Sequence, residues 1–289
     1  MNFSNPISPD ASTQSKTSPG LYIVATPIGN LRDITLRALD ILQSADHILA
    51  EDTRQTQKLL NVYNIKAHLT AYHDHNVAKM LPKVLSWLDS GKTIVQVSDA
   101  GTPLISDPGF KLVRAAIEHG HKIFPVPGAS APMAALVMAG LPSDKFLFGG
   151  FLPNKSAARR SALIEYLSLK ATLIFFESPN RLVDSLHDVQ SVLGDRPAVI
   201  AREITKKYEE ARRGTISELI ESCQASPPKG EIVLLIGPPL EKQMWSREDV
   251  DTALKKKLPE LGAKRASAEV AELSGWAKRS VYQRAILLS

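Results

Sequence analysis

Short runs of apolar and β-branched residues alternate along the chain with longer stretches in which apolar positions recur every three or four residues. The short runs predict strands over Leu21–Ala25, His47–Ala50, Ile94–Val97 and Lys122–Val126. The longer ones predict helices over about Ile34–Ser44, Thr53–Asn61, Val77–Asp89 and Pro108–His119. This βα alternation predicts a largely parallel sheet. Pro125-Val126-Pro127-Gly128 interrupts it, and a second series follows, with strands over Phe146–Gly149, Thr172–Phe176, Ala198–Ala201 and Ile232–Ile236 between helical stretches. Past Pro238-Pro239 the strand-like runs stop, and residues 245–289 read as helices with a break at Pro259. The expected organisation is an α/β domain over 20–127, a second over 128–240 and a small helical appendage over 241–289. Residues 1–19, rich in Ser, Thr, Pro and Asn, have almost nothing to bury and read as a disordered tail.

Chemistry-bearing residues concentrate where predicted strands end. Ser98-Asp99-Ala100-Gly101-Thr102-Pro103 leaves the Ile94–Val97 run as a loop stiffened by Pro103 and Pro108 and loosened at Gly101, with Asp107 and Pro108 placed to cap and start the next helix. A strand, a loop and a helix in that order put the loop at the carboxyl edge of an α/β sheet, where such folds bind ligands. Thr26–Asp33 follows the first strand, with Asp33 as the expected helix cap. Glu51-Asp52-Thr53-Arg54 crowds two carboxylates and a guanidinium at a third turn. Asp52 there serves equally as a helix cap, whereas Arg54 is the better ligand candidate. Phe175-Phe176-Glu177-Ser178-Pro179-Asn180-Arg181 repeats the arrangement ahead of a helix expected near Pro179, and Phe176 fits either an adenine pocket or the core. Ala201-Arg202-Glu203-Ile204-Thr205-Lys206-Lys207, with Arg212-Arg213 beyond, reads either as a solvated loop or as a phosphate-contacting one.

Composition narrows the classes. Among 289 residues, 35 Lys and Arg against 30 Asp and Glu leave a net charge of +5, mildly favouring a polyanionic partner. The single Cys223 excludes an intrachain disulfide framework and a multi-cysteine zinc site, and a cytoplasmic setting is expected. No apolar run is long enough to span a bilayer. Neither the glycine fingerprint of dinucleotide binding nor that of P-loop nucleotide hydrolysis occurs. His73-Asp74-His75 lacks a third ligand cluster, so no metal is expected. In the last segment Ala271, Gly275 and Val281 have helix-turn-helix offsets, with Lys278, Arg279 and Arg284 nearby; nucleic-acid contact and protein docking both remain open there.

Taken in order, Val24–Leu31, Glu51–Arg54, Ser98–Pro103, Gly140–Asp144, Gly149–Pro153 and Ala201–Lys206 resemble the small-subunit ribosomal RNA ribose methyltransferase I family of the tetrapyrrole-methylase-like superfamily, over about residues 20–289. The resemblance implies two α/β domains with a cleft between them. It implies an S-adenosylmethionine-dependent enzyme that methylates the ribose 2′-hydroxyl of a decoding-centre cytidine in 16S rRNA within the small ribosomal subunit, as a homodimer. Pro27, Asp99, Ala100, Gly101, Thr102, Pro103, Ser130, Ala131, Phe176, Ala201 and Gly230 would surround the cofactor. Val77 stands where relatives carry Glu. A ribose hydroxyl must lose a proton, and Glu203 and a Lys206 of lowered pKa are the candidate acceptors, with Asp99 as the alternative. Arg32, Arg54, Arg181 and Arg202 would ring the cleft and face RNA. A tetrapyrrole methylase and a DNA-binding metabolite sensor are the competing readings.

Overall fold

The predicted strands of the first half are short and mostly apolar, and in the computed structural model they lie side by side in one sheet whose central strands are buried on both faces. The structure describes residues 17–239 and 245–288. They divide into two compact units, one ending at Pro238 and one starting at Pro239, each described separately below. The expected tail lies, but for its last three residues, outside the described residues, as does the expected boundary at 240/241.

The larger unit opens with β1 (Gly20–Val24), a short 3-10 turn (Leu31–Asp33), α1 (Leu36–Ser44), β2 (His47–Ala50), α2 (Thr53–Val62), β3 (Leu69–Ala71), α3 (Val77–Asp89), β4 (Thr93–Gln96), α4 (Phe110–Glu118) and β5 (Ile123–Val126). Their sheet runs β3-β2-β4-β1-β5 and is parallel throughout. β1 and β4 are adjacent, while the chain leaving β1 crosses towards β2 and the chain leaving β4 crosses towards β5. That reversal opens a crevice at the carboxyl ends of β1 and β4.

The chain continues as α5 (Ala131–Ala139), β6 (Phe146–Phe151), α6 (Ser156–Ile164), β7 (Thr172–Glu177), α7 (Leu182–Leu193), β8 (Pro197–Arg202), β9 (Glu210–Thr215), α8 (Ile216–Ala225) and β10 (Ile232–Ile236). This sheet runs β6-β7-β10-β8-β9 and is mixed: β6 is parallel to β7, and the remaining pairs are antiparallel. The ends of β7 and β8 and the start of β10 therefore share one edge, with Ile232 opposite both Glu177 and Arg202. Ile28, from the loop after β1, packs into the apolar layer that α5 forms with Ile174, Val199 and Val233 of the second sheet. A residue of the first half thus completes the core of the second.

Three helix starts differ from expectation. α1 is capped by Thr35, whose hydroxyl accepts from the Ala38 N–H at 3.1 Å, because Asp33 closes the preceding 3-10 turn. α4 starts at Phe110 after Gly109 at φ 133°, so neither Asp107 nor Pro108 opens it. α7 starts at Leu182, beyond Pro179. β3 and β9 were not anticipated: β3 is three residues long, and β9 reads Glu-Ala-Arg-Arg-Gly-Thr with none of the usual apolar alternation. Both are edge strands, which need less apolar surface than central ones.

The smaller unit contains α9 (Arg247–Ser274) and α10 (Lys278–Leu288). Gly262, at φ 66° and ψ 164°, breaks α9, and Gly275 ends it in the left-handed region. Val250, Leu254, Ala266, Val270, Val281 and Ala285 form its core. Trp276 Nε1–H donates to the Trp245 carbonyl at 2.8 Å, and Arg284 pairs with Asp251.

Candidate functional site

The loops after β1 and β4 meet first. The Thr26 N–H donates to the Gly101 carbonyl at 2.8 Å and the Gly101 N–H returns the bond at 3.0 Å, forming a two-residue bridge. Gly101 sits at φ 79°, and a Cβ there would stand 3.2 Å from Ile28 Cγ2, so both conformation and space favour glycine. Thr102 Oγ1–H donates to the Ala129 carbonyl at 3.1 Å, tying the same loop to the turn that follows β5. On the facing side Gly29 lies so close to Lys206 and Thr205 that a Cβ would come within 2.5 Å of Lys206 Cγ.

These contacts frame a cavity of ≈ 390 Å³. Asp99, Ala100, Gly101 and Thr102 line one wall, Ser130 and Ala131 another, and Phe176, Ile204 and Val233 the wall from the second sheet. Phe151 stands at the rim, 59% exposed, with its ring centroid 5.3 Å from that of Phe176. Left-handed backbone in residues other than glycine, among the described residues, occurs at Asn64, Leu104, Ser106, Glu203 and Thr205. Four of these five flank the cavity on two loops, the placement expected where strain is kept for function.

Five carboxylates line the cavity, and their partners differ. Glu177 is fully buried and accepts from Ser185 Oγ–H at 2.6 Å, the Ser178 N–H at 2.8 Å and Arg181 at 3.2 Å. Glu231 is paired with Lys206 at 2.9 Å. Asp99 accepts the Asp52 N–H at 3.0 Å. Glu51 and Asp107 form no ion pair among the described residues, and the one cation acting on Glu51 is His73. Burial, then the charges of Asp99 and Asp74, raise the pKa of Glu51. Burial, joined by the charges of Glu51 and Asp99, pushes Asp107 up to about 6 against a hydrogen bond from Ser98.

Of the expected cofactor residues, Asp99–Thr102, Ser130, Ala131 and Phe176 stand on the cavity wall. Pro27, Pro103 and Ala201 are buried behind it. Gly230 is exposed, and a Cβ on it would strike the Glu203 carboxylate at 2.4 Å, so its smallness serves Glu203.

The expected proton acceptors do not suit that role. Lys206 lies between Glu203 at 3.1 Å and Glu231 at 2.9 Å. Burial works to lower its pKa, but these two carboxylates outweigh it and raise the pKa, opposite to the expected lowering. Glu203 accepts the Glu231 N–H at 3.0 Å and the Lys206 ammonium; these bonds hold its pKa down and make it a poorer base.

Two of the four arginines are likewise engaged inside the protein. Arg181 donates to the Leu152 carbonyl at 2.7 Å, to Glu177 and to Asn154. Arg202 binds Glu210 at 2.5 Å and the Lys229 carbonyl at 3.2 Å. Both guanidiniums are thus engaged by groups of the protein itself, which gives each a structural contact beside the RNA contact expected of it. Arg32 is exposed on the 3-10 turn. Arg54, also exposed, rests on Asp52, whose pKa that guanidinium holds at about 2. Ile28, Glu51, Asp107, Phe151, Glu177, Ile204, Glu231 and Val233 also line the cavity, outside the expected set of cofactor contacts. Glu51 sits inside a motif read chiefly for Asp52 and Arg54, Asp107 reads as a helix cap, and Glu177 stands out in the sequence with Arg181 as a strand-end pair that packing alone does not explain. The apolar ones carry no sequence signal that separates them from core.

Among the described residues, no group of three or more His, Cys, Asp or Glu could hold a metal ion, and no helix is long and apolar enough to cross a membrane.

Residues 20–220 match the family described as tetrapyrrole (corrin/porphyrin) methylases, and residues 246–289 match the RsmI C-terminal HTH domain. Two parallel-to-mixed sheets with a cavity at the β1/β4 crevice thus define a methyltransferase of the tetrapyrrole methylase fold. The chain is similar to solved structures of diphthine synthase (TM-score 0.61, 15% identity, 77% of this chain and 90% of that one) and of cobalt precorrin-4 methyltransferase (TM-score 0.57, 22% identity, 75% and 94%); these likenesses concern the fold. It is 48% identical over 272 residues to ribosomal RNA small subunit methyltransferase I of Mesorhizobium japonicum, covering 93% of this chain and 92% of the relative. It is 46% identical over 273 residues to the protein of that name from Escherichia coli O157:H7, covering 92% and 94%. The chain belongs to the ribosomal RNA small subunit methyltransferase I family.

Proposed function

We propose that the cavity binds S-adenosylmethionine and that the enzyme methylates the ribose 2′-hydroxyl of a decoding-centre cytidine in 16S rRNA, on the small ribosomal subunit and in the cytoplasm. The observation that carries the cofactor assignment is the wall chemistry: apolar Ile28, Phe176 and Val233 on one side, and Glu51 and Asp107, without ion pairs among the described residues, on the other. A volume of ≈ 390 Å³ falls in the range of small-molecule sites, and uncompensated carboxylates favour a cationic ligand while disfavouring an anionic dinucleotide or a polycarboxylate tetrapyrrole. When bound, the cofactor supplies an electrophilic methyl group on a sulfonium sulfur, which leaves as a neutral thioether.

The chain's own residues contribute chiefly position. Asp99–Thr102 is fixed by the Thr26 bridge and the Thr102 bond to Ala129, so its backbone groups present a rigid edge at the switch point. Phe176 and Val233 exclude water from the opposite side. The Glu203–Lys206–Glu231 cluster, packed on Gly29, clasps the first-half loop against the second half. Arg32, exposed on the 3-10 turn after β1, and Arg54, exposed in the first turn of α2, are placed to meet phosphates, consistent with recognition of a 2′-hydroxyl in a polyanion. For the homodimer, support comes from α5: it is apolar on all sides, and Val137 and Met133 are 82% and 41% exposed.

The test is incubation of the purified enzyme with methyl-labelled S-adenosylmethionine and small subunits from cells lacking this gene, beside naked 16S rRNA and uroporphyrin. Label recovered as 2′-O-methylcytidine, chiefly from subunits, supports the reading. Label on a base, on porphyrin or nowhere refutes it.

A further inference from the structure

We propose that Asp107 is the residue that takes the proton from the acceptor hydroxyl. The inference rests on the ribose-methylation reading and names the group that reading leaves unassigned. An acceptor must reach the cavity, be ionised near neutral pH, and have no permanent cation holding its charge. Glu177 fails the last condition through Arg181, and Glu231 through Lys206. Asp99 has one oxygen already engaged by the Asp52 N–H, and Glu51 lies under the charge of His73, which works against its rise, whereas no cation among the described residues acts on Asp107.

Asp107 meets all three conditions. It is half-buried on the cavity wall, has no ion pair among the described residues, and its segment is held in place rather than free to turn away. Leu104 at φ 73° and Ser106 at φ 63° turn the loop inward. The buried Gln96 amide donates to the Pro108 carbonyl at 2.8 Å and fills the space beside Gly109, where a Cβ would come within 2.0 Å of it. Gly109 therefore starts α4 in Asp107's place, and the carboxylate serves the cavity instead of the helix. The groups facing it are Ser98 after β4, Asp99 on the same loop and Glu51 after β2; across the cavity stand Glu177 with Arg181 and Glu231 with Lys206. Partial burial first, and then the repulsion from Glu51 and Asp99, raise its proton affinity towards neutrality against the hydrogen bond from Ser98, and a general base works best there.

In the step, the ribose oxygen gives its proton to an Asp107 Oδ. The O–H electron pair stays on oxygen and forms the bond to the methyl carbon, while the carbon–sulfur bond of the donor would break with its pair going to the sulfonium sulfur; the carboxylate becomes a carboxylic acid that later releases the proton to solvent.

The experiment combines three measurements on the full-length enzyme with methyl-labelled S-adenosylmethionine and undermethylated small subunits. The wild-type kcat/KM should rise with pH through an inflection near 6, and Glu51→Gln should move that inflection downward. Asp107→Asn should lose about 100-fold or more in kcat while its calorimetric affinity for the cofactor changes less than about tenfold. Independently of turnover, the wild-type minus Asp107→Asn infrared difference should contain a protonated carboxyl band that disappears between pH 5 and 7. An Asp107→Asn enzyme with wild-type kcat, or one that loses only cofactor affinity, overturns the proposal. So does an inflection that Glu51→Gln leaves in place, which decides the matter even if Asp107→Asn does not fold. Label mapping separates the two levels: wild-type label off the ribose sinks the functional reading itself, whereas ribose label with an indifferent Asp107→Asn sinks only this inference.

Discussion

Removing the Arg181 guanidinium tests whether this side chain holds the fold or holds RNA. Glu177, at the end of β7, has a side chain with 0% exposure, and Arg181 is its only cationic contact among the described residues, at 3.2 Å from either oxygen. Truncating one member of a buried pair costs about 3–5 kcal/mol, because the other charge stays behind without compensation. Here the Ser185 hydroxyl and the Ser178 N–H remain on the carboxylate, which moves the figure towards the low end of that range. Arg181→Ala also releases the Leu152 carbonyl and Asn154, which the guanidinium ties to β7. The expected loss is about 3 kcal/mol in urea unfolding, a fall in Tm of roughly 6–12 °C for a unit of this size. Arg181→Ala/Glu177→Gln should recover at least half of it, since an amide needs no counter-charge. An Arg181→Ala protein within about 0.5 kcal/mol of wild type, but with weakened RNA binding, would refute the reasoning and return Arg181 to the RNA surface.

Gly101→Ala should destabilise by about 1–2 kcal/mol through its left-handed backbone, crowd Ile28 and weaken cofactor affinity in calorimetry; unchanged affinity would remove the loop from the site. Val137→Glu should convert the proposed dimer to monomer in sedimentation at unchanged far-ultraviolet circular dichroism, and a persisting dimer would move the interface off α5. The pKa of Asp107 is raised on folding, so its ionised form destabilises the fold, fully above about pH 6 and not at all below the unfolded value near 4. Asp107→Asn should therefore be more stable than wild type at pH 7–8, by about 1 kcal/mol after allowance for solvent screening, with the difference vanishing as pH falls from 6 to 4. A difference constant with pH would contradict the raised value.

The central strands and most helices were legible because their apolar spacing is dictated by burial on both faces. β9 was not, because an edge strand made of Glu, Ala, Arg, Arg, Gly and Thr is stabilised by pairing with β8 and by side chains such as Arg213, which reaches the Ala139 carbonyl at 3.2 Å. The helix starts failed for a related reason. Asp33 and Asp107 have the right chemistry for caps, yet a local 3-10 turn built on Asn30 takes the first, and the second lies on the cavity wall beside segments distant in sequence. The Ser98–Pro103 and Phe175–Arg181 motifs fall at strand ends that border the cavity, as their sequence position suggests. What sequence could not assign was the pairing: Arg181, Arg202 and Lys206 look like free cations until the structure brings Glu177, Glu210 and Glu231 against them.

The most direct measurement is a crystal structure of this enzyme grown with S-adenosylmethionine or its demethylated product. The account predicts density between the Asp99–Thr102 loop and Phe176, with the sulfur on the side of Glu51 and Asp107. Ligand bound elsewhere on the chain, with this cavity left to solvent, would contradict it.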